Sequence, residues 1–567
     1  MSANDLSINV RMYRQGLGDC FLLTFKKEDK AKFNLLIDCG LLQGTENAPA
    51  IMREVAEDIK LTAEDTGGLN AVAVTHEHWD HISGFSLAQA QDVFDQIKFH
   101  EVWLGWTEDE SHPQSKAMRE RFSKQIDGVK KAVDQVDEEK KKKQGNAGGD
   151  EEELGFLKTA KTLLTDFFDP EIFSASGKGR SATWEYITKK GPPRYCDPGT
   201  VFSPAGLEDD VRIYVLGPPA DYKVFTKTEP SKKDAPKETY REDSAFALTE
   251  NVIAAIAGRL GVSGQADAVK KTPPKTEETS QDDSRFALAE SFFAAFGEKG
   301  DDPFENACPF ETDLPTILPY DTSDDTPHEK VSGGSAGHTN EPCWAMTEKK
   351  FPSYFADEND WRQIGDDWLM MVEQFALHLD SYTNNSCLAF AIELVKSGKV
   401  LLFPGDAQYG NWISWKDLEF KDKDGKIVDV TTADLMSRTV LYKVGHHGSH
   451  NATLREHGLE LMTHPELVAM IPVDREMAKS KTTKTNKTGW QMPEGHLFDR
   501  LKQKTRGRII IADESDHTGL KDRCTDPAFY KEVETGLNNT KVETPVKFAG
   551  KMLETDHPLY VEYEVKN

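Results

Sequence analysis

Hydrophobic and polar positions change period along the chain. Residues 7–37 read as β-structure: SINVRMY alternates, and FLLTF and FNLLID are short apolar runs bounded by Gly or charge. Gly16-Leu17-Gly18-Asp19 reads as the turn between the first two strands, and 47–61 carries a helical pattern. NAVAV (70–74) is a short buried strand that runs directly into Thr75-His76, and KFHEVWLG (98–105) is another. Strand-like composition returns at 194–217, 387–404, 439–444, 467–473, 508–512 and 558–565. Strands interleaved with helices predict an α/β layered core.

Two stretches interrupt this core. Residues 114–140 form a charged helical pattern ending in KKKK, followed by the break QGNAGGDEEE and a second helical pattern at 151–168. Residues 226–282 include the polar runs TKTEPSKKDAPKE and KKTPPKTEETSQDD. Asp243–Glu250 (DSAFALTE) is repeated as Asp283–Glu290 (DSRFALAE), each with an Asp-Ser helix-start signal. The pair reads either as a duplicated covering helix or as an arm for a protein partner or for self-association. SGGSAG (332–337) reads as a linker. The expected organisation is a first core half at 1–107, a helical insertion at 108–190 and core strands at 191–221. A second insertion at 222–374 and a second core half at 375–567 complete it.

The chain has 567 residues, of which 38% are hydrophobic, enough for a sizeable core. Its net charge of −27 argues against a general nucleic-acid coater or a binder of anionic membranes. No apolar run approaches the roughly 18–20 residues of a membrane span. The first residues lack a charged segment followed by an apolar one, so no export signal is expected. Seven scattered Cys without a CxxC pair suggest reduced thiols and a cytoplasmic setting.

The chemistry concentrates in Thr75-His76-Glu77-His78-Trp79-Asp80-His81, directly after a buried strand. Three imidazoles and a carboxylate converging at a strand end suit Zn²⁺, with Mn²⁺ or Fe as alternatives. Farther along, Asp406 ends the apolar run LLFPGD, and His446-His447 follow the strand LYKV.

This H-x-H-x-D-H pattern resembles the metallo-β-lactamase superfamily, and the resemblance implies an αββα sandwich. It places His76 and His78 on one metal, Asp80 and His81 on a second, and Asp406 between them. It assigns Asp38, in LLIDCG, to orienting the metal loop from behind. Gly-x-Gly-Asp, LGPP at 216–219, Asn384-Asn385-Ser386, the PGD step and Lys-Val-Gly-His-His-Gly-Ser are similar to the hydrolase domain of ComEC-type DNA-uptake proteins. The superfamily's third motif usually offers a His, whereas here the slot reads Thr-Asn-Asn-Ser-Cys. Either His378, Asn385 or a water takes its place. His446, first after the strand, is the expected ligand, with His447 a proton donor to the leaving group or a packing residue.

The implied chemistry is hydrolysis by water activated between two divalent ions, with Asp80 assisting proton transfer. The segment MAKSKTTKTNKTGWQM (477–492) holds four lysines and no acid. Its Lys484 and Lys487, with Asn385, Ser449 and His496, are candidate substrate contacts, and a phosphodiester is the expected substrate. The alternatives are an esterase or lactonase on a small molecule, or an effector module gated by a partner.

Overall fold

Alternation decides which face of each strand is covered. In the segment Lys30–Cys39, Phe33, Leu35 and Ile37 point into one apolar cluster and Leu36 into another. The first cluster lies between two sheets; the second is covered by the helix α1 (Ala48–Glu64), through Met52, Val55 and Ile59. Both faces of such a strand are buried, which accounts for its near-continuous apolar run.

The computed structural model describes residues 6–86, 88–119, 182–231, 233–240, 381–482, 487–514, 518–537, 546–548, 551–553 and 559–567. These belong to the unit comprising residues 1–275 and 373–567. The duplicated helices at 243–250 and 283–290, the linker 332–337, His378, Lys484 and most of both expected insertions lie outside the described residues.

The strands are β1 (Leu6–Tyr13), β2 (Cys20–Lys27), β3 (Lys30–Cys39), β4 (Ala71–Ala73), β5 (Val102–Gly105), β6 (Pro193–Cys196), β7 (Val201–Phe202) and β8 (Val211–Gly217). They continue as β9 (Ala389–Leu394), β10 (Val400–Phe403), β11 (Thr439–Lys443), β12 (Val468–Ile471), β13 (Ile509–Ile511), β14 (Val546–Phe548), β15 (Lys551–Leu553) and β16 (Tyr560–Lys566). One sheet runs β16-β1-β2-β3-β4-β5-β6 and the other β13-β12-β11-β10-β9-β8-β7. The architecture is mixed α/β with two seven-stranded sheets, in keeping with the expected sandwich. The short hairpin β14–β15 was not expected.

Both sheets follow one scheme. From β16 to β3, and from β7 to β10, neighbours pair antiparallel; from β3 to β6, and from β10 to β13, they pair parallel. Thus β3 and β10 hold equivalent places, as do β4 and β11. Asp38 lies in β3 and Asp406 just beyond β10; the two histidine-bearing loops follow β4 and β11. The carboxyl ends of parallel strands are where side chains from separate loops can meet.

The sheets meet through aromatic packing, with Phe403 edge-on to Phe21 at 5.9 Å and stacked near Phe390 at 6.0 Å. Burying each such ring contributes about 1.5–3 kcal/mol. Polar links join the sheets at the site end: Leu388 N donates to Thr75 O (2.8 Å), and the buried Arg14 donates to the carbonyls of Ala512 (2.6 Å) and Glu514 (2.8 Å). Trp106, Met118, Phe225 and Tyr382 form a separate small cluster, with Phe225 and Tyr382 rings 4.7 Å apart. The described cysteines, 20, 39, 196, 387 and 524, are free and buried. Among the described residues, no helix is long and apolar enough to cross a membrane.

Two glycines are set by close approach. A Cβ on Gly40 would lie 2.4 Å from the carbonyl carbon of Asp80, and one on Gly18 (φ +153°) 2.7 Å from its oxygen. The backbone of the histidine loop therefore rests directly on the 18–19 and 40–41 backbones, where Asp19 N donates to Asp80 O (2.9 Å). Gly40→Ala is expected to cost about 1–3 kcal/mol through overpacking. The urea midpoint should fall accordingly; an unchanged midpoint would show that the loop yields freely.

Candidate metal centre

The loop after β4 is organised from behind by Asp38. This residue is fully buried and has a left-handed backbone (φ +53°). Its carboxylate accepts from Thr75 N (2.8 Å) and Thr75 Oγ1 (2.7 Å), and lies 2.9 Å from His81 Nδ1. The Thr75 hydroxyl proton is committed to Asp38, so at 3.0 Å from His76 Nδ1 the Thr75 oxygen acts as acceptor. That fixes the proton of His76 on Nδ1 and leaves a lone pair on Nε2, which is buried with no hydrogen-bond partner. The same logic places a proton on His81 Nδ1, toward Asp38, and turns Nε2 inward.

The second wall comes from the ends of β10 and β11. His81 Nε2 lies 3.1 Å from Asp406 Oδ2. The other oxygen of Asp406 accepts from His446 N (2.9 Å) and from Lys443 Nζ (3.0 Å). Lys443 is itself buried, donating also to Gly405 O (2.9 Å) and paired with Asp19. Asp406 thus presents a single oxygen to the histidines. His447 Nδ1 donates to Pro472 O (2.7 Å), which aims Nε2 at Asp80 Oδ2, 3.0 Å away. His446 and His447 both adopt left-handed backbones (φ +44° and +53°), a strained pair that a packed surrounding must hold in place.

Donor atoms of Asp80, His81, Asp406 and His447 all lie within 4.8 Å of one another, every residue buried. Asp19, Asp38 and His81 form a second such set. The rings of His76 and His78 are 4.5 Å apart, and those of His76 and His81 4.1 Å. His76 Nε2, Asp80 Oδ1 and His446 Nδ1 are buried without hydrogen-bond partners. Polar atoms left this way cost about 1–3 kcal/mol each. Imidazole nitrogens and carboxylate oxygens crowded at this spacing fit a divalent ion, which would satisfy them.

The electrostatics divide the imidazoles into two kinds. Burial, then the positive charges of neighbouring histidines, pushes His76 well below its usual range; His78 falls to about 3 and His446 to about 4, burial being the largest cause. Burial opposes protonation of His81 too, but Asp406, Asp80, Asp38 and Asp19 outweigh it and hold that ring charged. His447 is likewise raised against burial, by its bond to Asp80 and the charges of Asp406 and Asp19. Burial disfavours the Asp80 carboxylate, yet His81 and His447 bring it down to about 2. Burial acts the same way on Asp406, and Lys443 and His81 overcome it.

The expected residues separate accordingly. The structure brings His76, His78, Asp80, His81, Asp406, His446 and His447 into one buried cluster, with Asp38 behind them. Asn385 is not free to contact a substrate or replace a ligand. Its Nδ2 donates to the carbonyls of Phe225 (3.0 Å) and Lys227 (2.8 Å), and its Oδ1 accepts from Asn411 N (3.1 Å). Ser449 donates to Asn451 Oδ1 (3.1 Å) beside the histidine pair. His496 is exposed in the first turn of helix 495–505, and Lys487 is exposed. Sequence reasoning missed Asp19, Lys443 and Thr75 as members of the centre. Their signal was present in the Gly-x-Gly-Asp turn, the Lys-Val-Gly-His-His run and the residue before the first histidine.

Two outcomes follow for the metal-free protein. Removing Asp38 with Asp38→Ala frees Thr75 and His81, and Zn²⁺ affinity should fall about 10–100-fold, the usual effect of losing a group that orients ligands. Equilibrium competition with a chromogenic chelator measures it. Because His81 and His447 carry protons that a ligand must lose, ion uptake releases protons and affinity rises with pH. Calorimetry in buffers of different ionisation enthalpy should register that release; none would contradict the charged state assigned to these rings.

A search among curated proteins finds no match. Residues 13–160, which include the whole histidine loop, match the family model described as Metallo-beta-lactamase superfamily, a family made up mostly of hydrolases, and so this part of the chain is similar to a metal-dependent hydrolase.

Proposed function

We propose that the protein is a metal-dependent phosphodiesterase, with a nucleic acid or nucleotide as substrate, working in the cavity between the β4 and β11 loops. The observation that carries the hydrolytic part is the buried quartet Asp80, His81, Asp406 and His447 at the carboxyl ends of parallel strands. Two divalent ions, Zn²⁺ or Mn²⁺, are the fitting complement; bound there, they supply Lewis acidity and an activated water near neutral pH. The similarity to ComEC-type hydrolase domains and a cytoplasmic setting are parts of the same reading.

The chain's own residues do the orienting. Asp38, through Thr75, holds His76 and His81 with Nε2 inward. Lys443 and His446 N hold Oδ1 of Asp406, so that Oδ2 is turned toward His81. Asp80 stays ionised and would accept the proton of a water activated by ions bound there. With both nitrogens of His447 held, by Pro472 and Asp80, this residue serves as a ligand in our reading rather than the proton donor expected from the sequence.

A phosphodiester is favoured by where the lysine-bearing segment is tied. At one end Thr45 Oγ1 donates to Met477 Sδ (3.4 Å) and Lys481 Nζ to Gln43 O (3.3 Å), just past the Gly40 turn that supports Asp80. At the other end Glu494 N donates to Gly448 O (2.8 Å), next to His447. Lys479, Lys481 and Lys487 therefore lie on a segment anchored to both walls of the cavity. In an acidic protein this is a local source of positive charge for phosphate.

Bis(p-nitrophenyl) phosphate and a labelled oligonucleotide are expected to be cleaved in the presence of Zn²⁺ or Mn²⁺. His78→Ala and Asp406→Ala should each lower kcat at least about 100-fold, as loss of a group acting in the transition state does. Lys479→Glu with Lys487→Glu should raise KM for the oligonucleotide more than for the small diester. Turnover of p-nitrophenyl butyrate without any diester cleavage would replace this reading with an esterase.

A further inference from the structure

The resemblance expects one further imidazole beside His76 and His78. The slot where the resemblance expects a third-motif imidazole holds Asn385, whose amide is spent on the carbonyls of Phe225 and Lys227. His76 and His78 are thus left as a pair, with His76 Nε2 buried and unmatched. On the opposite wall the chain supplies two consecutive histidines, and the left-handed backbone at both splays their rings 6.0 Å apart at 60°.

The two rings have different surroundings. His447 is anchored by Pro472 and aimed at Asp80, within the tight quartet. His446 is outside that quartet and 7% exposed, and its Nδ1 is buried with no partner. Its backbone N–H is fixed on Asp406. It also lies within electrostatic reach of both His76 and His78. A ring tethered by its backbone alone can turn about its side-chain bonds; a ring fixed at Nδ1 cannot.

We propose that the adjacent histidines serve two different ion positions: His447 completes the quartet with Asp80, His81 and Asp406, and His446 joins His76 and His78 in place of the ligand that Asn385 does not provide. The proposal rests on the metal cavity described above. The donor atoms of the quartet lie within 4.8 Å of one another, which makes it the more closely set of the two groups. The His76, His78, His446 set does not reach that spacing among the described residues, so it closes only as His446 swings in. Two unequal sites follow, filled in a fixed order.

The test is a titration of the full-length, chelator-stripped protein with Co²⁺, read by its visible absorption and by native mass spectrometry. Wild type should take up two equivalents, the second at least about tenfold more weakly, as expected where ordering of a ligand opposes binding. His446→Asn suits the left-handed backbone and keeps a side chain of similar polarity. It should lose the second equivalent and keep the first within about threefold, the spread expected of context effects around one interaction. His447→Asn should instead abolish the tight equivalent. Circular dichroism of the metal-free variants checks folding; if His446→Asn does not fold, His446→Gln takes its place. Two equivalents of wild-type affinity in the His446 variant would overturn the proposal. So would loss of the second equivalent in His378→Ala but not in His446→Asn. A wild type that binds one ion overturns the proposal while leaving the hydrolase reading intact, and one that binds none overturns both.

Discussion

The centre depends on a single buried carboxylate. Asp38 sits at the end of a fully covered strand, in a backbone conformation that few non-glycine residues adopt. Three donors converge on it, two from Thr75 and one from His81. A buried negative charge is tolerable only when it is matched in this way. The consequence is that the orientation of two histidines is decided by hydrogen bonds on the side away from the cavity. Thr75 carries the order from Asp38 to His76.

A second buried charge arrangement does the equivalent work across the cavity. Lys443 lies between Asp19 and Asp406, drawing one carboxylate from the first sheet and one from the second. Removing Lys443 would leave two buried carboxylates without the cation between them, a change that costs several kcal/mol. The triad therefore couples the relative placement of the sheets to the direction in which Asp406 presents its free oxygen. The parallel organisation of the sheets makes this workable: β3 and β10, and β4 and β11, deliver their chemistry from equivalent positions.

Much of the framework was legible because burial leaves a period in the sequence. Strands covered on both faces, such as β3, β9 and β10, read as apolar runs, and the histidine loops were visible as polar clusters immediately after such runs. What escaped was any role defined by a meeting of distant residues. Lys443 looks like an ordinary polar position beside a strand; only its two carboxylate partners, from residues 19 and 406, reveal why it is buried. Asp19 read as part of a turn for the same reason. The hydrogen bond from Asn385 to Lys227, 158 residues away, is likewise something no local pattern announces. The expected boundaries of the two insertions rest on composition alone, which does not say how a polar segment is arranged.

The cluster of Trp106, Met118, Phe225 and Tyr382 has a bearing on how so much additional sequence is accommodated. Phe225 precedes the long stretch from 241 to 380 and Tyr382 follows it, yet their rings touch. The contact brings two rings far apart in the sequence side by side in the described core. The entropy of closing a connection between two such residues grows only with the logarithm of its length. A longer connection between residues 225 and 382 would therefore add little to the cost of holding these two rings together.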